Sequence, residues 1–285
     1  MASTVAVWLT ALARGDGRAK PLSVASISQA LSALVFFHRD GDHPLDRKSR
    51  AIARTMAGIS REKAKTSTTR KARALLATDL RDILEKLTTK PNDVRDAALL
   101  TLGWSGALRR SELVGLDWLR PGTGTGFVTV DERGVSIRLM TSKSSQDAAV
   151  DVTIPAADMP AACRALEAWA AAASLEPGSP VFRPIDQHGH IGAERLDSRS
   201  VSRIVKSRMR KLEHRRGKTR KDAKAAVGEY SGHSLRAGFA TSAASANVPV
   251  HRIQGHTRHK SVDVLNGYIR ESDRWQKSAL KGLGF

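Results

Sequence analysis

Cysteine is almost missing from this chain. Cys163 is the single one in 285 residues, which excludes an internal disulfide framework and a Cys-based zinc cluster and fits a reducing, cytoplasmic setting. Aromatic residues make up 5% of the sequence, with Tyr230 and Tyr268 the two tyrosines; that is too little to build an RNA-stacking sheet. No apolar run approaches the length that spans a bilayer, and the first residues lack the charged-then-apolar layout of a signal peptide. No membrane partner is therefore expected. Acidic residues are also scarce, 28 against 47 Lys and Arg, for a formal net charge of +19.

The excess charge is localised. Residues 1–78 hold 14 basic and 5 acidic residues, and residues 199–224 hold 12 and 2. These two blocks account for the whole excess. A concentrated positive surplus suits a polyanion, and the blocks lack the apolar, aromatic-anchored opposite face that a membrane surface requires. Nucleic acid is the expected partner. Lys63, Lys65, Arg70 and Lys71 in the first block, with Arg199, Arg203 and Lys206 in the second, are the candidate backbone contacts.

Periodicity predicts helices over about 4–13, from a Ser23 cap with Val24, Ile27, Leu31 and Leu34 on one face, and from about Asp46 with Ile52 and Met56 inward. TSTTRK (66–71) is polar, basic and aperiodic, and reads as a linker. The expected organisation is a helical domain at 1–65, a linker at 66–74 and a larger domain at 75–285. That larger domain opens with a helix over 75–87, striped by Leu76, Leu80, Ile83, Leu84 and Leu87, and a second from Asn92. The period then changes to two across 127–130, 135–139 and 150–154, with TSKSSQDA as the last turn. Helical patterns return at 161–173, 200–212, 234–246, 250–254 and 261–269. The fold class is mainly α with a small antiparallel β-sheet. GTGTG (122–126) lacks the Gly-Lys-Ser/Thr of a phosphate loop and reads as a plain loop; no nucleotide-binding motif is present, and no cofactor is expected.

Three segments carry candidate chemistry: GALRRSELVGL (106–116), GHSLRAGFAT (232–241) and HKSVDVLNGYIR (259–270). Arg109 and Glu112 are three apart, as are His233 and Arg236, and each pair shares a helix face. Lys143 sits at the tip of the predicted hairpin. Singly, these could be a surface ion pair, a core histidine, a solvated turn lysine and a packed tyrosine. Together, two arginines, two histidines, a lysine and a tyrosine can attack a phosphodiester without a metal. Guanidinium forks grip the non-bridging oxygens, a phenol oxygen forms the new ester, and a cation protonates the leaving oxygen.

As a set, these segments resemble the tyrosine recombinase (phage integrase) family. GALRRSEL resembles its first arginine motif, GHSLR its His-x-x-Arg motif and HKSVDVLNGYIR its final His-to-Tyr motif, in the family's order and with its nine-residue spacing to the tyrosine. Residues 1–65 resemble the family's helical core-binding domain, one helix short. The resemblance implies that Arg109, His233, Arg236 and His259 contact the scissile phosphate, that Lys143 is the general acid, that Glu112 holds the Arg109 region and that Tyr268 is the nucleophile. Tyr230, next to GHSLR, is assigned to packing. GHTRHKS offers two histidines. His256 lies twelve residues before Tyr268 and His259 nine, and the spacing selects His259, with TRHKS in place of the usual TGHKS. An H-x-x-H metal pair at 256 and 259 lacks a third donor at helical spacing, so no metal is assigned.

What the resemblance implies is a metal- and ATP-independent site-specific DNA recombinase that works through a 3′-phosphotyrosine. Its partners would be duplex DNA carrying recombination sites and further copies of the chain: a dimer on a site, a tetramer in the synapse. The two domains would clamp opposite faces of the duplex, with the tail 270–285 reaching a neighbouring copy or its own domain. A type IB topoisomerase shares the catalytic set, and a catalytically silent DNA-binding relative is the reading from another class.

Overall fold

The computed structural model describes residues 1–15, 20–66, 72–140 and 149–259, together with Ser261 and Gly267. Two compact units divide the chain at Met1–Arg70 and Lys71–Phe285.

The first unit contains three helices: α1 (Ala2–Arg14), α2 (Val24–Asp40) and α3 (Arg50–Thr66). Ser23 caps α2 by accepting the Ser26 N–H at 3.1 Å, which satisfies one of the N–H groups that a helix start leaves without a partner. Leu9, Ile27, Leu31 and Ile52 face a common core with almost no exposure, and Met56 packs against it. α3 begins at Arg50, later than the apolar pattern from Asp46 suggested, and runs through Thr66 into the stretch read as linker.

In the second unit, residues 72–76 carry no regular structure yet are tightly held. Arg73 N–H donates to Glu229 O and Leu75 N–H to Ser234 O. α4 (Ala77–Leu84) follows, with the Asp79 carboxylate accepting the Leu76 N–H. Leu76 was expected on the apolar stripe; it precedes the helix and stays exposed. α5 (Pro91–Ser105), with proline at its start, is buried along most of its length and leads through a turn at 106–109 into the short α6 (Arg110–Val114).

The sheet has four strands in the order β1 (Leu116–Trp118), β2 (Gly126–Asp131), β3 (Gly134–Leu139) and β4 (Val150–Pro155). β2, β3 and β4 pair antiparallel, as their alternation predicts, and β1 adds a parallel edge. Three residues, all buried, give β1 no alternating signature, so periodicity could not reveal it. Residues 141–148, read from sequence as a turn and including Lys143, lie outside the described residues.

α7 (Pro160–Ala172), α8 (Ser198–Arg215), α9 (Arg220–Ala226), α10 (His233–Ser245) and α11 (Val250–Thr257) complete the unit. α9 is too short and too charged to have shown a period. Trp169 of α7 is fully buried, its indole N–H given to Val181 O at 2.7 Å. Gly238 is required on α10, because a Cβ there would stand 1.7 Å from the Leu75 carbonyl oxygen. That carbonyl instead accepts the Trp104 indole N–H at 2.9 Å, so 72–76, α5 and α10 are joined at one point.

Part of the basic surplus is spent inside the fold. Arg208 is buried between Asp93 and Asp96, with ion-pair distances of 2.7 and 2.6 Å, and fastens α8 to the start of α5. Arg216 pairs with Asp79 and Asp82 at 2.8 Å each, and Lys218 pairs closely with Glu213. The charge of block 199–224 therefore cannot all face a partner.

GTGTG has a structural role as well. Asp117, 1% exposed, accepts the N–H groups of Gly122 and Gly124 at 2.8 Å and pairs with Arg195 at 2.5 Å. The loop thus wraps a carboxylate of the protein itself. Asp117→Ala would leave the Gly122 and Gly124 amides without their acceptor and remove the anion that Arg195 pairs with, and is expected to cost ~3–5 kcal/mol of unfolding free energy. Urea titration measures it; a loss under ~1 kcal/mol would mean that water replaces the carboxylate readily.

Candidate active site

The site is built where α5 ends. The last carbonyls of a helix have no intrahelical donor and carry the negative end of its dipole. Three side chains from distant segments use them here. His256 Nε2 contacts Ser105 O at 2.5 Å, Arg258 Nη1 donates to Gly106 O at 3.2 Å, and Arg236 Nη1 donates to Ala107 O at 2.8 Å. Ala107 O also accepts from Arg258 Nη2 at 3.2 Å. Ala107 itself takes a left-handed φ of 45°, which turns the chain sharply toward Arg109.

Arg109 is the residue before α6 rather than a member of its face. Its N–H donates to Glu112 Oε2 at 2.8 Å, and its guanidinium pairs closely with Oε1. These two contacts, both donated by Arg109, fix the helix start and aim the arginine, whose side chain remains half exposed. Burial pushes the Glu112 carboxyl up, but the Arg109 N–H, the Arg258 charge and the Arg109 side chain outweigh it and hold it below the usual range. It is an anion shared by two arginines.

Arg236 on α10 is 1% exposed. His233, one turn earlier, stands at the helix start, and its ring is made less basic by partial desolvation and by the charges of Arg236 and Arg109. His259 follows α11. Burial, then the charges of Arg236, His233, Arg109 and Arg258, bring its pKa down to about 4. The charges of Arg109, His233 and Arg236 therefore act on His259. His259 is also held by its neighbours: its carbonyl accepts from Gln254 Nε2 at 3.1 Å, and its Nδ1 lies 2.7 Å from Thr257 Oγ1. Thr257 Oγ1 also lies within hydrogen-bond reach of Ile253 O at 2.7 Å, so the His259 ring is tied through Thr257 to α11.

The competing histidine has other work. His256 is stacked on Phe239 at 4.6 Å between ring centroids and holds Ser105 O. Tyr230 is 2% exposed beneath Arg73, and burial raises its pKa to about 12, consistent with packing. Lys143, Tyr268, Arg70 and Lys71 lie outside the described residues. Among those described, no group of three or more His, Cys, Asp or Glu is placed to hold a metal ion, and no helix is long and apolar enough to cross a membrane.

Arg258 was not assigned a role from sequence. It caps α11 at φ 56°, ψ 42°, a left-handed conformation that costs a non-glycine residue roughly 1–2 kcal/mol. Its side chain donates to Gly106 O and Ala107 O and pairs with Glu112 Oε2 at 2.9 Å. The departure from Gly in TRHKS was the available signal.

A second basic region lies on α8. Val201, Ile204, Val205, Arg208, Met209 and Leu212 form its buried face, leaving Arg199, Arg203, Lys206 and Arg210 along another. Arg203, Lys206 and Arg210, with Lys224, line a groove of about 330 Å³. In the other unit, Lys63 and Lys65 lie in the last turn of α3.

The sequence model of the phage integrase family matches residues 73–274. A protein described as an integrase/recombinase xerD homolog, from Selenomonas ruminantium, is 32% identical over 243 residues, which cover 83% of this chain and 64% of that one. Two solved structures share the fold. XerH site-specific recombinase bound to palindromic difH substrate, a post-cleavage complex, aligns with a TM-score of 0.60 at 16% identity, over 95% of this chain and 69% of that one. The Tn1549 transposon integrase in complex with transposon right end DNA aligns at 0.56 and 14%, over 96% and 83%. The chain belongs to the phage integrase family, that of the tyrosine recombinases.

The lowered histidine pKa has a definite sign. A folded-state value of about 4 against an ordinary 6.5 means that the unfolded chain binds the extra proton first. The stability linked to His259 is complete above pH 6.5 and is lost as the pH falls toward 4. NMR titration should place the His259 Cε1–H midpoint near 4, and His259→Gln should flatten part of the acid destabilisation. A midpoint near 6.5 would remove His259 from the arginine cluster.

Proposed function

We propose that this chain is a site-specific DNA recombinase that cuts and rejoins strands through a 3′-phosphotyrosine, with neither metal nor ATP. The observation that carries the reading is the meeting of Arg236 and the Arg109–Glu112 pair beside the end of α5, through Ala107 O and Arg258, in a chain of the tyrosine recombinase family. Arg109 and Arg236 grip the non-bridging oxygens of the scissile phosphate and stabilise the charge that grows on them in the transition state. His233 and His259 complete the oxygen contacts, and Glu112 keeps Arg109 aimed. The Tyr268 oxygen bonds to phosphorus as the bond to the 5′ oxygen breaks. Lys143 supplies the proton to that oxygen, and the neutral imidazoles are available to take the phenolic one. Attack by the 5′ hydroxyl of an exchanged strand reverses the step, so the bond energy is conserved.

The remaining assignments follow from the same reading. Residues 1–65 form the core-binding domain, 66–74 the linker and 75–285 the catalytic domain. Both domains contact duplex DNA, and the tail 270–285 engages a neighbouring copy. Lys63, Lys65, Arg70 and Lys71, with Arg199, Arg203 and Lys206, neutralise backbone phosphates. Dimers fill a site and a tetramer forms the synapse, in the cytoplasm. Relatives described as recombinases, and solved structures described as bound to DNA substrates, support DNA sites as the partner.

Single-turnover cleavage of a nicked duplex in excess chelator tests this. The wild-type chain should cleave and exchange strands, and Arg236→Ala should slow cleavage by at least ~100-fold. Complete loss of cleavage in chelator, with DNA binding intact, would overturn the reading. Cleavage without strand exchange would indicate a topoisomerase.

A further inference from the structure

Arg258 ties together two parts of the site that are about 150 residues apart in sequence. It stands immediately before His259, and its backbone N–H caps α11 through Gln254 O at 2.8 Å. Its guanidinium reaches the turn that precedes Arg109, donating to Gly106 O and Ala107 O at 3.2 Å, and pairs with Glu112 Oε2 at 2.9 Å. Glu112 uses that same oxygen for the Arg109 N–H and its other oxygen for the Arg109 guanidinium. Ala107 O likewise serves both Arg258 and Arg236. Every contact of Arg258 beyond its own helix is therefore to an atom that also orients Arg109 or Arg236, or to the carbonyl next to one.

Its burial decides between two roles. The side chain is 12% exposed, and its Nε is buried without a partner among the described residues. A cation meant to greet DNA would be open to it, as the half-exposed Arg109 is. A cation meant to fix geometry would be enclosed and saturated by protein acceptors, which describes the Nη groups of Arg258. The left-handed backbone at this position favours glycine, so an arginine here must contribute through its side chain to offset the conformational cost.

We infer that Arg258 is a positioning residue: a guanidinium strap that locks the His259 backbone to the Glu112–Arg109 pair and so fixes the spacing between the arginine and histidine halves of the phosphate site. The inference rests on the proposed phosphodiester chemistry. Arg planarity matters, because the guanidinium reaches these acceptors from two nitrogens held in one rigid plane, whereas a lysine ammonium offers a single nitrogen.

The test compares Arg258→Gly, Arg258→Asn and Arg258→Lys with the wild-type chain. Glycine and asparagine both tolerate the left-handed backbone, so the fold should survive, and thermal denaturation checks this. Single-turnover formation of the covalent adduct on a saturating nicked duplex should fall by ~10-fold or more in all three, since small misplacements of reacting groups carry large rate losses. DNA affinity should stay within ~2-fold. Added guanidinium ion should restore part of the rate to Arg258→Gly and none to Arg258→Lys. In Arg258→Gly the His259 ring should also titrate above its wild-type midpoint, because a neighbouring cation is gone.

Wild-type rates in the folded Gly and Asn variants would overturn the strap. So would a loss of rate matched by an equal loss of affinity, which would make Arg258 a DNA contact. Failure of the wild-type chain to form an adduct would defeat the recombinase reading instead; the strap would then be decided by the His259 titration in Arg258→Lys, which keeps the charge and loses only the bridge, and an unchanged midpoint there would overturn it.

Discussion

The carbonyl groups at the C-terminal end of α5 are the constraint on which this site depends. A helix end leaves these oxygens without donors, and burial without donors is costly. Here the donors come from α10 and α11 as Arg236, His256 and Arg258. Satisfying one helix terminus thereby collects two arginines and a histidine from two remote stretches of sequence at a single place.

Crowding of like charge is the consequence. Around His259 lie Arg109, Arg236 and Arg258, and the carboxylate paired with two of them is Glu112. The imidazoles respond by giving up their protons, with His259 shifted to about 4. The guanidiniums cannot do so, and stay charged against carbonyl dipoles and one shared anion. Such a site is poised for an additional anion, and a phosphodiester with two non-bridging oxygens matches two guanidinium forks. The buried Asp93–Asp96–Arg208 network holds α8 to the start of the same helix, so the basic face of α8 and the arginine cluster share one rigid element.

The helices and the antiparallel strands were legible because amphipathic periodicity repeats over several turns, as in α2, α8 and β2 to β4. β1 was hidden because a three-residue, fully buried strand has no alternation, and α9 because seven charged and small residues have no apolar stripe. The motif residues were legible through their spacing. The carbonyl acceptors at 105–107 were not, since backbone groups leave no mark in a sequence. Arg258 fell between these cases: its identity was visible as a departure from glycine, but its role depends on a left-handed backbone and on Glu112, 146 positions away. The surplus of block 199–224 was visible as a number, yet the numbers could not separate Arg208, Arg216 and Lys218, which serve acids of the fold, from cations such as Arg199 and Arg203 that remain exposed.

In the proposed function, the cluster at the end of α5 directs a tyrosine oxygen onto a DNA phosphate. The site of covalent attachment tests this: trap the chain on a nicked duplex, digest the complex and locate the nucleotide-bearing peptide by mass spectrometry. A 3′-phosphate ester on Tyr268 is expected. Attachment to Tyr230, to a serine or to any other residue would contradict it.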